Sequence, residues 1–275
     1  MIFRNRQLSS SRGESGQAAV EAALTLPLTI FLILGTLQLF LMLQGRIMAE
    51  YAAFEAVRAG SRHHGSCEAM MQAGLAALLP SVVSYMGKGT EGSTAAEKLG
   101  AAFKARWKPD AEEGQFAKMD YTANGFGGKS LEGESIFWLA RPLPTNVPED
   151  GEDSDFDAPV QDGGGMRLEA RLVYWFPLRI PFADWVMTRM FMAHFGIMDY
   201  DDANPLIPAE KKAGWTKGKT PPTLDEQIRG KYGELVKNKQ YVFPIQATYG
   251  MRMMTPAQGR YFKNQNCGSS TPDGL

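Results

Sequence analysis

Three groups of residues have types and spacings suited to chemistry. The first is Gly16, Gln17 and Glu21 in the stretch GQAAVEAALTLPLTIFLILGTLQLFLML, where one carboxylate stands at the rim of an otherwise uncharged apolar run. A charge beside hydrocarbon is costly, so it either sits harmlessly at an interface or serves a specific process. The second group is the pair Cys67 and Cys267. Two cysteines are too few for a disulfide scaffold or a cysteine-rich zinc site, but in an oxidising compartment they can join each other. Two free thiols are the alternative. The third group is Asp153, Asp155 and Asp157, spaced alternately in PEDGEDSDFDAPVQDGGG as in calcium loops. An EF-hand would require glycine where Ala158 stands and glutamate where Gly164 stands, so the stretch reads as an acidic loop near 149–165.

Nothing else in the chain points to catalysis. His63 and His64 are adjacent and cannot share one helical face, so a metal site is not expected. No G-x-S-x-G, P-loop, Rossmann or H-E-x-x-H pattern occurs. The expectation is therefore a protein that is not an enzyme, with no catalytic residue, metal or cofactor. Net charge is −1, which removes the usual electrostatic basis for binding nucleic acid. Hydrophobic residues make up 44% of the 275 and charged ones 21%, enough apolar material for a packed domain beyond the run.

The element that must position Glu21 is the run itself. Residues 22–45 contain no charged side chain, and as a helix these 24 residues reach roughly 36 Å, sufficient to cross a bilayer. A cleaved secretory signal is the rival reading, but its apolar region is usually only ~7–15 residues long and ends in a small-residue site. Arg4, Arg6 and Arg12 precede the run against Glu14, whereas Arg46 is followed by Glu50 and Glu55 before Arg58. This bias predicts a cytoplasmic N-terminus, with everything after Arg46 outside. Pro27 removes one backbone donor near the start of the span and is common in membrane helices.

A short basic leader ending in Gly16, then Gln17, Ala18, Ala19, Val20 and Glu21, then a long apolar helix, resembles the type IV prepilin-like processing signal. EAALTLPLTIFLILG followed by MAEYAAFEAVRAGS is similar, more specifically, to the TadE-like family of minor pseudopilins of the tight-adherence (Flp) type IVc pilus system. The features that carry the likeness are the proline shortly after the glutamate and the alanine-rich E-x-x-R segment from Glu55 to Arg58, and it covers about residues 12 to 62. The resemblance implies cleavage after Gly16 by a prepilin peptidase, a processing site at Gly16 and Gln17, and an assembly role for Glu21. Glycine offers the peptidase an unobstructed, strain-tolerant backbone. Cleavage would place a new ammonium on Gln17 at i, i+4 spacing from Glu21, and in relatives the glutamate is thought to pair with a neighbouring subunit's amine. One departure is Ala22, where pilin-like sequences often carry an aromatic, and it speaks for a minor rather than a filament-forming pilin.

Beyond the membrane the helix is expected to continue, over about Gln17 to Gly60. Ile47, Tyr51 and Phe54 share one face, and Ala49, Ala52, Ala53, Ala56 and Ala59 form a small-residue surface suited to close helix packing or to the domain's own core. A second helix is expected over Ser66 to Leu79, with Ser66 as N-cap and Pro80 after its end. Thr94 with Glu97 forms a capping box for a third, through about Trp107, and Thr223 with Glu226 suggests another, weakened by Gly230 and Gly233. ESIFWLA, MRLEARLVYWFPLRI and KQYVFPIQATYGMRMM read as strands, with Pro177 and Pro244 suited to ends or edges. IPFADWVMTRMFMAHFGIM reads as a buried core helix, since Asp184, Arg189 and His194 argue against a second span. Alternatively Met187, Met190, Met192 and Met198 would make an adaptable binding face.

The expected fold class is α+β: a long N-terminal transmembrane helix continuing into a periplasmic domain with a small antiparallel sheet and additional helices, a pilin-like layout. Its parts are a leader at 1–16, a long helix at 17–62 with its transmembrane part at 22–45, and a periplasmic domain at 63–275. The expected function is that of a minor pseudopilin-like component in the bacterial inner membrane, taking part in adhesion or secretion. Its partners would be a prepilin peptidase, other pilins or pseudopilins, pilus assembly proteins and the membrane, and no nucleic acid. The alternative is a membrane-anchored periplasmic binding or envelope-scaffold protein, which would survive exchange of residues 1 to 45 for an unrelated anchor.

Overall fold

The computed structural model describes residues 14–82, 92–107, 134–145, 147, 166–195, 224–268, 270–273 and 275. Helix α1, Glu14–Arg62, has 49 residues and is roughly 70 Å long. Alanine and leucine dominate it, and both are strong helix formers. Pro27 lies inside it without ending it. The hydroxyls of Thr25 and Thr29 donate back to the carbonyls of Glu21 and Thr25 at 2.9 and 2.8 Å, so these polar groups are satisfied within the helix. Residues 14–16, which the sequence reading assigns to the leader, are helical and continuous with the rest of α1.

Helix α2 is Cys67–Val82 and α3 is Ala95–Arg106. Ser66 supplies the carbonyl that receives the Met70 N–H at 3.2 Å, as an N-cap residue should. Pro80 sits within the last turn of α2 rather than after it: the helix is carried on by Leu79 and Val82, both buried, while the exposed ring costs only one terminal hydrogen bond. Thr94 and Glu97 form the full capping box of α3.

Four strands follow: β1 Phe137–Leu143, β2 Arg167–Pro177, β3 Val242–Arg252 and β4 Asn266–Cys267. They form one antiparallel sheet in the order β3-β2-β1-β4. Pro177 ends β2, and Pro244, opposite Trp175, lies on the edge strand β3, where a missing N–H leaves no ladder bond broken. Helices α4, Ala183–His194, and α5, Glu226–Lys237, complete the described elements. α5 forms despite Gly230 and Gly233, because Ile228, Tyr232 and Leu235 bury one face against the sheet. Its N-cap is Asp225, whose carboxylate pairs with Arg171 instead of capping; Thr223 lies outside the described residues.

The layers follow from the alternation of β2. Leu168 and Phe176 lie where a Cβ on Gly60 or Gly45 of α1 would strike them, and the Tyr174 hydroxyl meets Ser81 of α2 at 3.0 Å. Arg171 and Trp175 point to the other face, toward α5. The sheet is thus packed on α1 and α2 on one side and on α5 on the other. Ala49, Ala52, Ala53 and Ala56 are wholly buried in this core, so the alanine surface is used up inside the domain. In α4 Met187 and Met192 are buried, but Met190 and Trp185 are exposed, so the element is half core and half surface. Met198 and the acidic residues Asp153, Asp155 and Asp157 lie outside the described residues.

Candidate functional site

The residues with the strongest chemical signal lie at the foot of α1. Gly16 is exposed, with no atom within 4 Å of where a Cβ would stand, and it lies within the helix rather than before it. Glu21 is exposed on the same helix, just over one turn further along. Of Gln17 only the helical backbone is described. From Ala18 to Ile30 every side chain faces away from protein, so the carboxylate stands at the base of a bare apolar cylinder. α1 is the one helix among the described residues long and apolar enough to cross a membrane.

Further along, α1 joins the domain. The Gln38 side chain is wholly buried, and its Oε1 accepts the backbone N–H groups of Arg179 and Ile180 at 3.2 and 2.9 Å. At Gly45 the helix approaches so closely that an added Cβ would fall 2.4 Å from the Phe176 ring. Beyond this point Arg46 pairs with Glu50 at 3.0 Å, and Glu55 with Arg58 at 3.5 Å. Both pairs are exposed in part and hold only the helix surface, so neither is worth more than a few tenths of a kcal/mol. Gln38 is a residue that pattern reading missed, although an amide inside an apolar run is the sort of signal that marks helix contacts.

Cys67 and Cys267 are joined by a disulfide across a sequence separation of 200, tying the start of α2 to β4. Beside it lies Arg141, also wholly buried. Its guanidinium donates to the carbonyl oxygens of Gly65 at 2.5 Å, Tyr261 at 2.7 Å and Asn264, and it lies 4.5 Å from the centre of the Phe262 ring. Burial lowers its pKa to about 10, so it stays charged at neutral pH. His64 has a left-handed backbone, φ 56°, and its Nδ1 lies 2.8 Å from the Pro256 carbonyl oxygen. That contact makes it a donor within a turn. Among the described residues no three His, Cys, Asp or Glu side chains are placed to hold a metal ion.

This geometry is a long anchor with a packed domain clasped to its distal part, and the comparison with known families falls on the anchor. Residues 16–58 match the family model of TadE-like proteins. The chain carries a TadE-like segment. It opens at Gly16, takes in Glu21 and the bare apolar stretch, and ends at Arg58 inside the buried part of α1. Such a segment fits a component associated with the tight-adherence pilus, and the long apolar helix fits a single-pass membrane anchor. No curated protein and no solved structure matches the chain.

Proposed function

We propose that the chain is a minor pseudopilin-like component for assembly of a tight-adherence (Flp) type pilus, with a role in adhesion or secretion. The observation that carries this reading is an exposed carboxylate, Glu21, at the base of a bare apolar helix and close behind an unobstructed glycine, within a TadE-like segment. Residues 1–16 are the cytoplasmic leader, 22–45 the membrane part of the long helix, and 63–275 the periplasmic domain. A prepilin peptidase cuts between Gly16 and Gln17. Because Gly16 lies in the first turns of α1, the peptidase has to unwind that end, and glycine lowers the cost by about 1 kcal/mol relative to alanine. The freed ammonium on Gln17 and the Glu21 carboxylate are then the complementary charges of subunit docking: each is inexpensive among headgroups, and together they attract in a medium that screens poorly.

Intact-mass measurement on the full chain made together with a prepilin peptidase tests the first step. A new N-terminus at Gln17 is expected, and one at any other residue overturns the processing site. Glu21→Ala should leave membrane insertion unchanged and abolish or strongly reduce piliation. Normal piliation in that variant would reduce Glu21 to an interfacial charge.

A further inference from the structure

The bare part of α1 is too short for the bilayer it is read as crossing. The first side chain of α1 to meet the domain is Phe31, whose ring packs edge-on against Phe182 with centroids 5.7 Å apart. From Glu21 to Phe31 the helix rises roughly 15 Å, and to Gln38 roughly 25 Å, against a hydrocarbon layer of roughly 30 Å. With Glu21 at one interface, the protein that touches Phe31 and Gln38 lies alongside the helix inside the far half of the layer.

The surface found there has the right chemistry. Phe182, Trp185 and Met190 are 42%, 44% and 59% exposed. The uncharged polar and acidic groups of the same element, Asp184 and Thr188, are turned into the protein and almost fully buried. Arg179, Arg189 and His194 are exposed on the same corner, where long or amphipathic side chains suit the headgroup region, and the Arg179 guanidinium donates to the Ser81 carbonyl oxygen. Phe182 adopts a left-handed backbone, φ 71°, a conformation that costs a bulky residue of order 1 kcal/mol or more and that sets its ring on Phe31. Tryptophan beside arginine at the rim of an apolar span is the usual composition of a membrane interface.

We propose that the corner formed by residues 178–194 is a second membrane-contacting element, seated beside α1 in the leaflet farther from Glu21, with Phe182, Trp185 and Met190 against lipid. This rests on α1 being a membrane anchor. The domain then does not stand off on its stalk; it is sunk into one leaflet and oriented about the helix axis, with one defined side facing along the membrane plane.

Nitroxide labels on the full, disulfide-bonded chain in phosphatidylcholine–phosphatidylglycerol vesicles test this. Labels at Trp185→Cys and Met190→Cys are compared with Leu28→Cys on the bare span and Met254→Cys on the exposed far side of the domain, using collision with oxygen and with a water-soluble nickel chelate. The expected result is an oxygen-to-nickel collision ratio at 185 and 190 several-fold above that at 254 and approaching that at 28. Labels at 185 and 190 that behave like 254 overturn the proposal while leaving the anchor reading intact if 28 is lipid-facing. A water-exposed label at 28 overturns the anchor reading, and the proposal with it. Labels at 185 and 190 shielded from both reagents mean that protein rather than lipid covers this face, and that also overturns it.

Discussion

Arg141 is fully buried and gives its hydrogen bonds to Gly65 at the α1–α2 turn and to Tyr261 and Asn264 near the C-terminus. Bonds from a charged donor contribute about 1.5–3 kcal/mol each, and the buried Gly65 carbonyl in particular would be left without its donor. Arg141→Met, which keeps the volume and removes the donors, should therefore destabilise the full chain in detergent micelles by about 3 kcal/mol. Urea unfolding followed through the buried Trp138–Trp175 pair, whose rings are 4.9 Å apart, checks this. The same charge on a strand reads in sequence as a solvent-facing residue. It points inward because alternation puts it on the face of Phe137 and Leu139, whose partners Tyr174 and Leu172 look toward α1 and α2. Glu21 is the opposite case: its place at the rim of an uncharged run is read from neighbours within a few positions, and α1 leaves it exposed there.

At the scale of elements, α1 changes character along its length, and two glycines mark the change. Gly45 lies against the Phe176 ring, whereas around Gly35 nothing lies within 4 Å of an added Cβ. Gly45→Val should cost about 1–3 kcal/mol or more by overpacking, while Gly35→Ala should be neutral or stabilise the helix by up to about 1 kcal/mol. Thermal unfolding of the two variants side by side measures the contrast, and equal effects would mean that the domain does not close on Gly45. The long helix, the capping box of α3 and the three main strands were readable because each is announced by local periodicity or a local cap. The two-residue β4 was not, since it exists only by pairing with Leu139 and Ala140 more than a hundred residues earlier. The end of α2 was misplaced for a related reason: Pro80 reads as a terminator, but the burial of Val82 draws the chain through one further turn.

For the molecule as a whole, the disulfide is the longest covalent constraint, linking Cys67 and Cys267 across 200 positions. In the chain-entropy account a loop of that length restricts the unfolded state strongly, so the double variant Cys67→Ala/Cys267→Ala should lose about 2–5 kcal/mol. Urea midpoints of the oxidised chain and the double variant check this, and equal midpoints would mean that the closure contributes nothing. The bond ties the start of α2 to the strand that edges the sheet, next to the carbonyls gathered by Arg141. Cysteine count alone allowed this pair or two free thiols.

By itself the sequence determined what depends on near neighbours: an apolar helix long enough to cross a membrane, a carboxylate at its base behind a glycine, and an α+β chain beyond. Only the tertiary structure decided where the domain grips that helix. Gln38 and Gly45 lie within what reads as a plain membrane span, and their partners Arg179, Ile180 and Phe176 are more than a hundred residues away. The alanines, which in sequence suit either helix packing or the domain's own core, are buried against the domain's own sheet and α2. Periodicity reports which side of a helix is apolar; whether lipid, another subunit or the same chain covers it is decided by contacts that sequence distance hides.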